Sequence, residues 1–434
     1  MLIFVSDLHF RDGTAGEHNL SPRTLESALE DWAVSAGNAN AKEVKIVFLG
    51  DIFDLLRTEK WLDAPLEARP WGFTDSHERL EAEAEAILDA ILAHRVNRET
   101  FAILSGSLAE RFPDFPVEPE RVYIPGNHDR LCAQFPALWR KAQQALGARP
   151  GPVLHTYQDP RYGVLARHGH EHDPFNYEGG DSFENADYLR VPIGDAVVAE
   201  LVARLPYTIM RHPKIQNLPR KTQQVLKRNL QQIENVRPMS AVLHWLFYQV
   251  QRQEWLQDVI EEAMDHAVAE FDNLPFVKDW LRRHDRFLHP LDEADKLQAI
   301  LLFLDKVRVT RLKRLFPLAD GIKTLMPDSM LDDARKEFQH LEPDILYLVY
   351  GHTHVAAQVP IRVDAAPNGE ARERVYLNTG TWGTRHIQAA EGSFASWNQL
   401  TYAIFYDAEE NLRPDQARRG FPTFETWTGT VSAL

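Results

Sequence analysis

Five short motifs in this chain contain side chains of the types that bind divalent metal ions. Their aspartate, asparagine and histidine residues offer oxygen and imidazole nitrogen atoms, a set that suits Mn²⁺, Fe or Zn²⁺. A metal site built from several thiolate ligands is excluded, because Cys132 is the only cysteine. In chain order the motifs are Asp7-Leu8-His9, Gly50-Asp51-Ile52-Phe53-Asp54, Gly126-Asn127-His128-Asp129, His168-Gly169-His170 and Gly351-His352-Thr353-His354.

Each motif directly follows a short apolar segment that has the character of a buried β-strand. These segments are rich in branched and aromatic residues and show little strict alternation, which indicates burial on both faces. In an α/β sheet the carboxyl ends of the strands gather at one crevice, so motifs far apart in sequence can converge there. The predicted strands are 2–6, 44–49, 122–125, 164–167 and 345–350, with two further strands at 375–377 and 402–406.

Amphipathic helices are expected between some of these strands. One begins after Ser21, a helix-capping residue that Pro22 follows, and ends at Gly37. Another extends from about residue 76 to residue 96 and has an apolar inner face. Alternating strands and helices predict an α/β core built in layers.

The segment 185–340 differs from its flanks in charge and in periodicity. It contains 23 Lys/Arg and 22 Asp/Glu, a balance of +1, whereas the rest of the chain carries −16. Its apolar residues recur at helical spacing, as at 193–205, 243–250 and 297–304, and prolines separate these stretches. We therefore expect residues 1–184 and 341–434 to form a discontinuous core and residues 185–340 to form a large, all-helical insertion that caps it.

The composition argues against several classes of partner. With 48 basic and 63 acidic residues the net charge is −15, so stable binding of nucleic acid is not expected. No stretch of 18 apolar residues occurs, so no transmembrane segment is expected. The first residues lack the features of a signal peptide, which predicts a cytoplasmic location. The oligomeric state is not indicated.

Two basic clusters in the insertion have two interpretations. They either recognise a second phosphate group of the substrate or form solvated helix faces. Acidic residues interspersed in the insertion favour the second interpretation. The clusters are Arg220, Lys221, Lys227 and Arg228, and Lys306, Arg308, Arg311, Lys313 and Arg314.

The ordered set of five motifs resembles the calcineurin-like metallophosphoesterase superfamily. This resemblance implies a layered α-β-β-α sandwich, two divalent metal ions (Mn, Fe or Zn) and hydrolysis of a small phosphorylated substrate. It also implies in-line attack on phosphorus by a hydroxide that bridges the ions. It assigns Asp51 as the carboxylate that bridges both ions. The remaining ligands it implies are Asp7, His9 and His354 for one ion, and Asn127, His168 and His352 for the other.

The resemblance also gives His128 a catalytic role, as the acid that protonates the leaving oxygen or stabilises the transition state. His128 directly follows a ligand, so in an extended segment its side chain points away from the metals and toward a substrate. A carboxylate beside the ring would orient it and raise its pKa. Asp54 is the first candidate for this carboxylate and Asp129 is the second.

Other polar residues near the fourth and fifth motifs allow alternatives. His170 either contacts the substrate or supports the ligands, and otherwise it is a loop histidine. Asp173 either accepts a hydrogen bond from a ligand histidine or caps the next segment, and the second interpretation is favoured. Asn378 to Thr381 are expected to support the metal-binding loop structurally.

Several functions remain open within and beyond this resemblance. The motif GDIFD and the helical insertion are reminiscent of UDP-2,3-diacylglucosamine pyrophosphate hydrolases, which are nucleotide-lipid pyrophosphatases with a helical lid. The insertion here is much larger than such a lid, and His170 stands where those enzymes have aspartate. Phosphodiesterases and phosphomonoesterases for small substrates are the other enzymatic candidates, whereas a nuclease is disfavoured by the acidic core. A non-catalytic scaffold on the same fold is the alternative from a different class.

Overall fold

The structure, a computed structural model, describes residues 1–16, 20–72, 77–179, 188–237, 241–250, 254–284, 330–365, 371–410 and 422–432. These residues form helices and two mixed β-sheets, so the α/β class is confirmed. The expected helical stretch at 297–304 and the basic cluster at 306–314 lie outside the described residues.

The first sheet has seven strands. They are β1 (Leu2–Val5), β2 (Lys45–Leu49), β3 (Glu120–Ile124), β6 (Val236–Arg237), β10 (Gly383–Gln388), β11 (Phe394–Tyr406) and β12 (Thr423–Ser432). The order is β3-β2-β1-β11-β10-β6, and β12 pairs with the other edge of β11. Strands β3, β2 and β1 are parallel, so the first three motifs leave the sheet at the same edge.

The second sheet has five strands. They are β4 (Tyr157–Asp159), β5 (Val164–Ala166), β7 (Tyr347–Tyr350), β8 (Ala357–Ala365) and β9 (Ala371–Asn378), in the order β4-β5-β7-β9-β8. The three central strands are parallel and the two outer strands are antiparallel to their neighbours. The fourth and fifth motifs therefore follow adjacent parallel strands, β5 and β7.

The two sheets face each other across one apolar cluster. In β1, Leu2 and Phe4 point into this cluster, whereas Ile3 and Val5 point to the opposite face, where helices cover the sheet. The ring of Phe4 contacts Tyr157 of the second sheet, with the ring centroids 5.8 Å apart. Burial of both faces explains why these strands read as continuous apolar segments.

Seven α-helices between residues 22 and 145 of the described chain pack around the outer face of the first sheet. They are α1 (Pro22–Asn38), α2 (Lys60–Asp63), α3 (His77–Ala93), α4 (Arg95–Leu104), α5 (Leu108–Arg111), α6 (Arg130–Gln134) and α7 (Pro136–Ala145). The start of α1 is confirmed, because Ser21 Oγ accepts a hydrogen bond from Thr24 N at 3.2 Å. The helix expected at about 76–96 is present as α3, but it ends at Ala93, and a separate helix, α4, begins at Arg95. The Asn97 side chain donates to Ile91 O at 2.9 Å and fixes this break.

The described part of the insertion is built mainly from helices. They are α8 (Ile193–Val197), which continues through a π-helical turn (Val198–Ala203) into α9 (Arg204–Arg211), then α10 (Pro213–Gln216), α11 (Arg220–Leu230), α12 (Val242–Val250), α13 (Glu254–Asn273) and α14 (Pro275–His284). Many of their apolar residues form a separate cluster around Ile209, Trp245 and Ile260. The expectation of an all-helical insertion was wrong at one place, because β6 lies within it and joins the first sheet by pairing with β10.

A further helix, α15 (Leu331–Glu337), covers the outer face of the second sheet. Ala334 and Phe338 pack there against Leu348 and Tyr376. These residues fall within the segment assigned to the insertion, yet they contact the core. Among the described residues, no helix has both the length and the apolar character that crossing a bilayer requires.

Candidate metal centre

The loops that follow β1, β2, β3, β5 and β7 bring their polar side chains into two adjoining groups that share Asp51, and a third group, His9, Asp54 and His128, adjoins the first. Each group consists of carboxylate and imidazole ligand atoms that lie within 4.8 Å of one another. The first group is Asp7, His9, Asp51 and His354, and the second is Asp51, His168 and His352. Asp51 belongs to both groups. All six residues were predicted as ligands from the motifs.

The backbone at this site is held in an unusual conformation. Six non-glycine residues in the described chain have positive φ, and five of them are predicted ligands. Such residues cost about 1–3 kcal/mol each and persist where surrounding structure enforces them. The five are Asp7 (φ 53°), His9 (47°), Asp51 (53°), His352 (68°) and His354 (58°).

Glycines next to the ligands allow the loops to approach one another closely. Gly50 has φ +83°, and a Cβ atom placed on it would collide with the ring of His168. A Cβ atom on Gly126 would collide with the carboxylate of Asp51. Both glycines therefore leave the space that the ligand side chains occupy.

The first group surrounds the imidazole of His9. His9 Nε2 lies 2.9 Å from His354 Nε2 and 3.8 Å from Asp51 Oδ2. His354 Nε2 lies 3.3 Å from Asp7 Oδ1. Asp7 Oδ2 accepts a hydrogen bond from His352 N at 3.1 Å. The other carboxylate oxygen, Asp7 Oδ1, is buried and has no hydrogen-bond partner in the described chain.

The second group is arranged around the other side of Asp51. His168 Nε2 lies 3.2 Å from Asp51 Oδ2, and His168 Nδ1 is 2.8 Å from the carbonyl oxygen of Leu49. With a metal ion bound, Nδ1 would donate to that carbonyl and Nε2 would offer its lone pair to the ion. Asn127 Oδ1 lies 3.0 Å from His352 Nδ1, so the predicted amide ligand joins this group.

The charges at the centre favour an added cation. Burial raises the pKa of Asp7, and the carboxylate of Asp51 adds to the rise. Burial opposes a charged His168, but Asp51 and Asp7 outweigh burial and raise its pKa to about 10. Buried Asp7 Oδ1 and His168 Nε2 have no hydrogen-bond partner in the described chain. The two carboxylates and the buried, unpaired ligand atoms therefore fit divalent cations.

His128 lies beside this centre and is fixed by Asp54. His128 Nδ1 is 2.8 Å from Asp54 Oδ1, and the ring of His128 packs edge-on against His9 with centroids 4.7 Å apart. Arg11 Nε donates to Asp54 Oδ2 at 2.8 Å, so the carboxylate is itself held in place. Burial opposes charging of His128, but Asp54 and Asp51 outweigh burial and raise its pKa to about 9.

Asp129 was the second candidate for the carboxylate beside the His128 ring, and it occupies a different position. It is fully buried and accepts hydrogen bonds from Ile52 N at 2.9 Å and Tyr123 Oη at 2.7 Å. It therefore fastens the loop after β2 to the loop after β3, whereas Asp54 is the carboxylate that contacts the His128 ring. Burial and the charge of Asp51 raise the pKa of Asp129 to about 6.

His170 is completely buried behind the ligands. Its ring centroid lies 5.3 Å from that of His168 and 6.3 Å from that of His352, and neither ring nitrogen has a hydrogen-bond partner in the described chain. Burial lowers its pKa to about 4, although the charge of Glu171 opposes this. His170 is thus placed to support the ligand histidines, and it has no exposed surface with which to contact a substrate.

Two supporting contacts involve residues whose roles the sequence left open. Asp173 Oδ2 lies 3.0 Å from His352 Nε2, on the far side of the ring from Asn127. Asp173 also accepts from Phe175 N at 2.9 Å, so both interpretations of this residue hold. Asn378 Nδ2 donates to Gly351 O at 2.6 Å, which confirms its expected support of the loop.

The contact of Asp173 with His352 makes a testable prediction. The negative charge of Asp173 orients the His352 imidazole and makes it more basic, and asparagine lacks this charge. We therefore expect the Asp173→Asn variant to bind metal about 10–100-fold more weakly. Titration of the metal-free protein with Mn²⁺ in a calorimeter measures the change. Asp332→Asn, at a carboxylate with 82% of its side chain exposed, is the control. Equal affinities for the two variants would contradict the assigned role.

Comparison with models of known protein families finds no match for this chain. A comparison with curated proteins also finds no significant match.

Proposed function

We propose that this chain is a two-metal-dependent hydrolase of phosphate esters, of the calcineurin-like metallophosphoesterase type. The observation that carries the proposal is the position of Asp51, whose carboxylate belongs to both ligand groups. Two cations held close together need an anion between them to offset their repulsion, and a shared carboxylate supplies it. Two-metal sites occur in phosphatases, nucleases and polymerases, as well as in aminopeptidases, and the order of the five motifs favours the enzymes that act on phosphate esters.

The arrangement of the fold supports the same proposal. Two sheets pack face to face, helices cover the outer face of the first sheet, and α15 covers the outer face of the second. This order agrees with the α-β-β-α sandwich that the motifs led us to expect. All five motifs lie at the carboxyl ends of parallel strands, where α/β proteins place their ligand sites.

Each group of residues would have a distinct task in hydrolysis. The predicted ligands would bind the ions, which supply Lewis acidity and lower the pKa of a bound water. Asp54 would hold the imidazole of His128 in one orientation, with Arg11 fixing the carboxylate. His128 would then deliver a proton from Nε2 to the leaving oxygen. A scaffold without activity has no need of this oriented histidine, so the contact favours an enzyme.

Removal and return of metal tests this proposal directly. Treating the purified protein with a chelator should abolish hydrolysis of bis(nitrophenyl) phosphate and nitrophenyl phosphate, and Mn²⁺, Fe²⁺ or Zn²⁺ should restore it. The metal-loaded protein should contain two ions per chain by elemental analysis. The proposal is wrong if the loaded protein hydrolyses no phosphodiester, phosphomonoester or pyrophosphate. The preference among these three classes identifies the type of ester cleaved.

A further inference from the structure

One tract of the insertion has a charge opposite to that of the chain as a whole. Between Leu201 and Ile233 there are seven lysine and arginine residues and no aspartate or glutamate. Because the whole chain carries −15, this tract leaves −22 on the remainder. Positive charge is thus concentrated in a segment of 33 residues, which contains α9, α10 and α11.

Helix α11 presents its basic residues on one exposed face. Leu226 and Leu230 are buried in the cluster of the insertion, whereas Lys221 and Arg228 are exposed on the opposite side and Arg220 is exposed at the border between the two sides. Arg220 and Arg228 are eight residues apart, so they lie about 12 Å apart along the axis. This exposed face, with Lys214 of α10, is called the basic surface below.

Part of the basic surface is free to bind an added anion. Lys214, Arg220 and Lys221 are exposed and make no ion pair with any residue that the structure describes. Two neighbouring cations are already compensated, because Arg211 and Lys227 lie 3.2 and 3.5 Å from the carboxylate of Glu59. The uncompensated charge therefore lies at the N-terminal end of α11 and on α10.

The C-terminal end of the same helix is fastened to loops of the candidate metal centre. Gln231 directly follows α11, and its Nε2 donates to Thr14 O at 2.7 Å, in the loop after β1. Arg57 donates to Gln231 O at 2.7 Å, and Arg57 N donates to Asp54 Oδ1 at 3.1 Å. Asp54 is the carboxylate that holds His128. Hydrogen bonds therefore join the helix that carries most of the basic surface to the loops of the candidate metal centre.

We propose that the basic surface binds the sugar-phosphate backbone of a nucleic acid strand and directs a phosphodiester of that strand to the metal centre. The proposal rests on the proposed function, because the strand would be its substrate. The uncompensated cations Lys214, Arg220 and Lys221 are distributed over two helices, and the phosphates of a nucleic acid strand follow one another about every 3.4 Å along a duplex. A strand can therefore contact these cations in succession. A single small phosphate group would instead need cations that converge on one point.

An anionic membrane fits this surface less well. Helices that lie on membranes bury exposed apolar side chains in the lipid, and the exposed face of α11 offers only Val225, at 52% exposure. The net charge of the whole chain led us to expect no stable binding of nucleic acid. That expectation reflects the negative charge outside residues 201–233. That charge would repel a strand from the acidic parts of the chain, so binding would depend on basic positions such as this surface.

The test compares two charge-matched variants of the full chain. Lys214→Glu/Arg220→Glu/Lys221→Glu reverses the uncompensated part of the basic surface. Arg140→Glu/Arg149→Glu/Lys336→Glu makes the same change in net charge at exposed positions on α7, after α7 and on α15. Binding of a fluorescent 20-nucleotide single strand and a 20-base-pair duplex is measured by anisotropy over a salt series with chelator present. Hydrolysis of the same strands and of bis(nitrophenyl) phosphate is measured with Mn²⁺.

We expect the first variant to bind the strands roughly tenfold to a hundredfold more weakly, with a salt dependence reduced by about three phosphate contacts. Its ratio of strand hydrolysis to small-diester hydrolysis should fall with its affinity, while the control behaves as the unaltered protein does. Equal binding by the two variants would overturn the proposal, as would binding to phosphatidylglycerol vesicles in place of the strands. Absence of hydrolysis of every phosphodiester, phosphomonoester and pyrophosphate by the metal-loaded protein would instead overturn the proposed function, whatever the binding result.

Discussion

Replacing Asp51 with asparagine is expected to remove both metal ions together and to lower kcat/KM for a phosphodiester by about 10³-fold or more. The carboxylate of Asp51 lies between the two ligand groups, 3.8 Å from His9 Nε2 and 3.2 Å from His168 Nε2. Metal ions contribute several kcal/mol to such reactions, and each factor of ten corresponds to about 1.4 kcal/mol. Elemental analysis of the purified variant and steady-state kinetics measure the two effects.

The asparagine variant is suited to this test because it preserves the loop. Asp51 Oδ1 accepts a hydrogen bond from His128 N at 2.8 Å, and an amide oxygen can accept the same bond. His354→Ala serves as the comparison, since His354 belongs to the first group alone. It should reduce occupancy of one position and leave the other filled. Loss of a single ion in Asp51→Asn, or an unaltered content of both, would refute the shared role of this carboxylate.

The sequence predicted the convergence of the motifs because a simple rule relates strand ends to sites. Each apolar segment ends where polar ligands begin, and parallel pairing of β1, β2 and β3 places three of these ends at one edge. The spacing could not indicate the left-handed backbone at Asp51 or His354, because these side chains adopt such φ values only when tertiary contacts enforce them. The residues of the ligand groups were therefore predictable from the sequence, but the positive φ angles that orient their side chains were not.

The features that sequence patterns missed depend on contacts between distant segments. Strand β6 is two residues long and exists only because β10, some 150 positions later, pairs with it. The break between α3 and α4 depends on the Asn97 side chain, which bonds to Ile91 O and also to Arg11 O at 2.9 Å. Hydrophobic periodicity detects neither feature, because each depends on a contact with a residue distant in the sequence.

The contact between His128 and Asp54 leads to the second large effect. His128→Ala is expected to lower kcat for a phosphodiester with an alkoxide leaving group by about 10²–10⁴-fold, the range typical for loss of a general acid. Metal content should persist, because His128 contributes to neither of the two groups that share Asp51. Kinetics and elemental analysis of the same preparation test both statements.

The leaving group separates acid catalysis from a structural role of His128. Nitrophenolate departs without a proton, so the variant should lose much less activity on bis(nitrophenyl) phosphate than on an alkyl ester. Asp54→Asn should give a weaker form of the same pattern, because it leaves His128 in place but removes the charge that orients it at 2.8 Å. Equal losses on both esters would mean that His128 acts by shaping the centre. Loss of metal from His128→Ala would lead to the same conclusion, since proton donation requires no contribution to binding the ions.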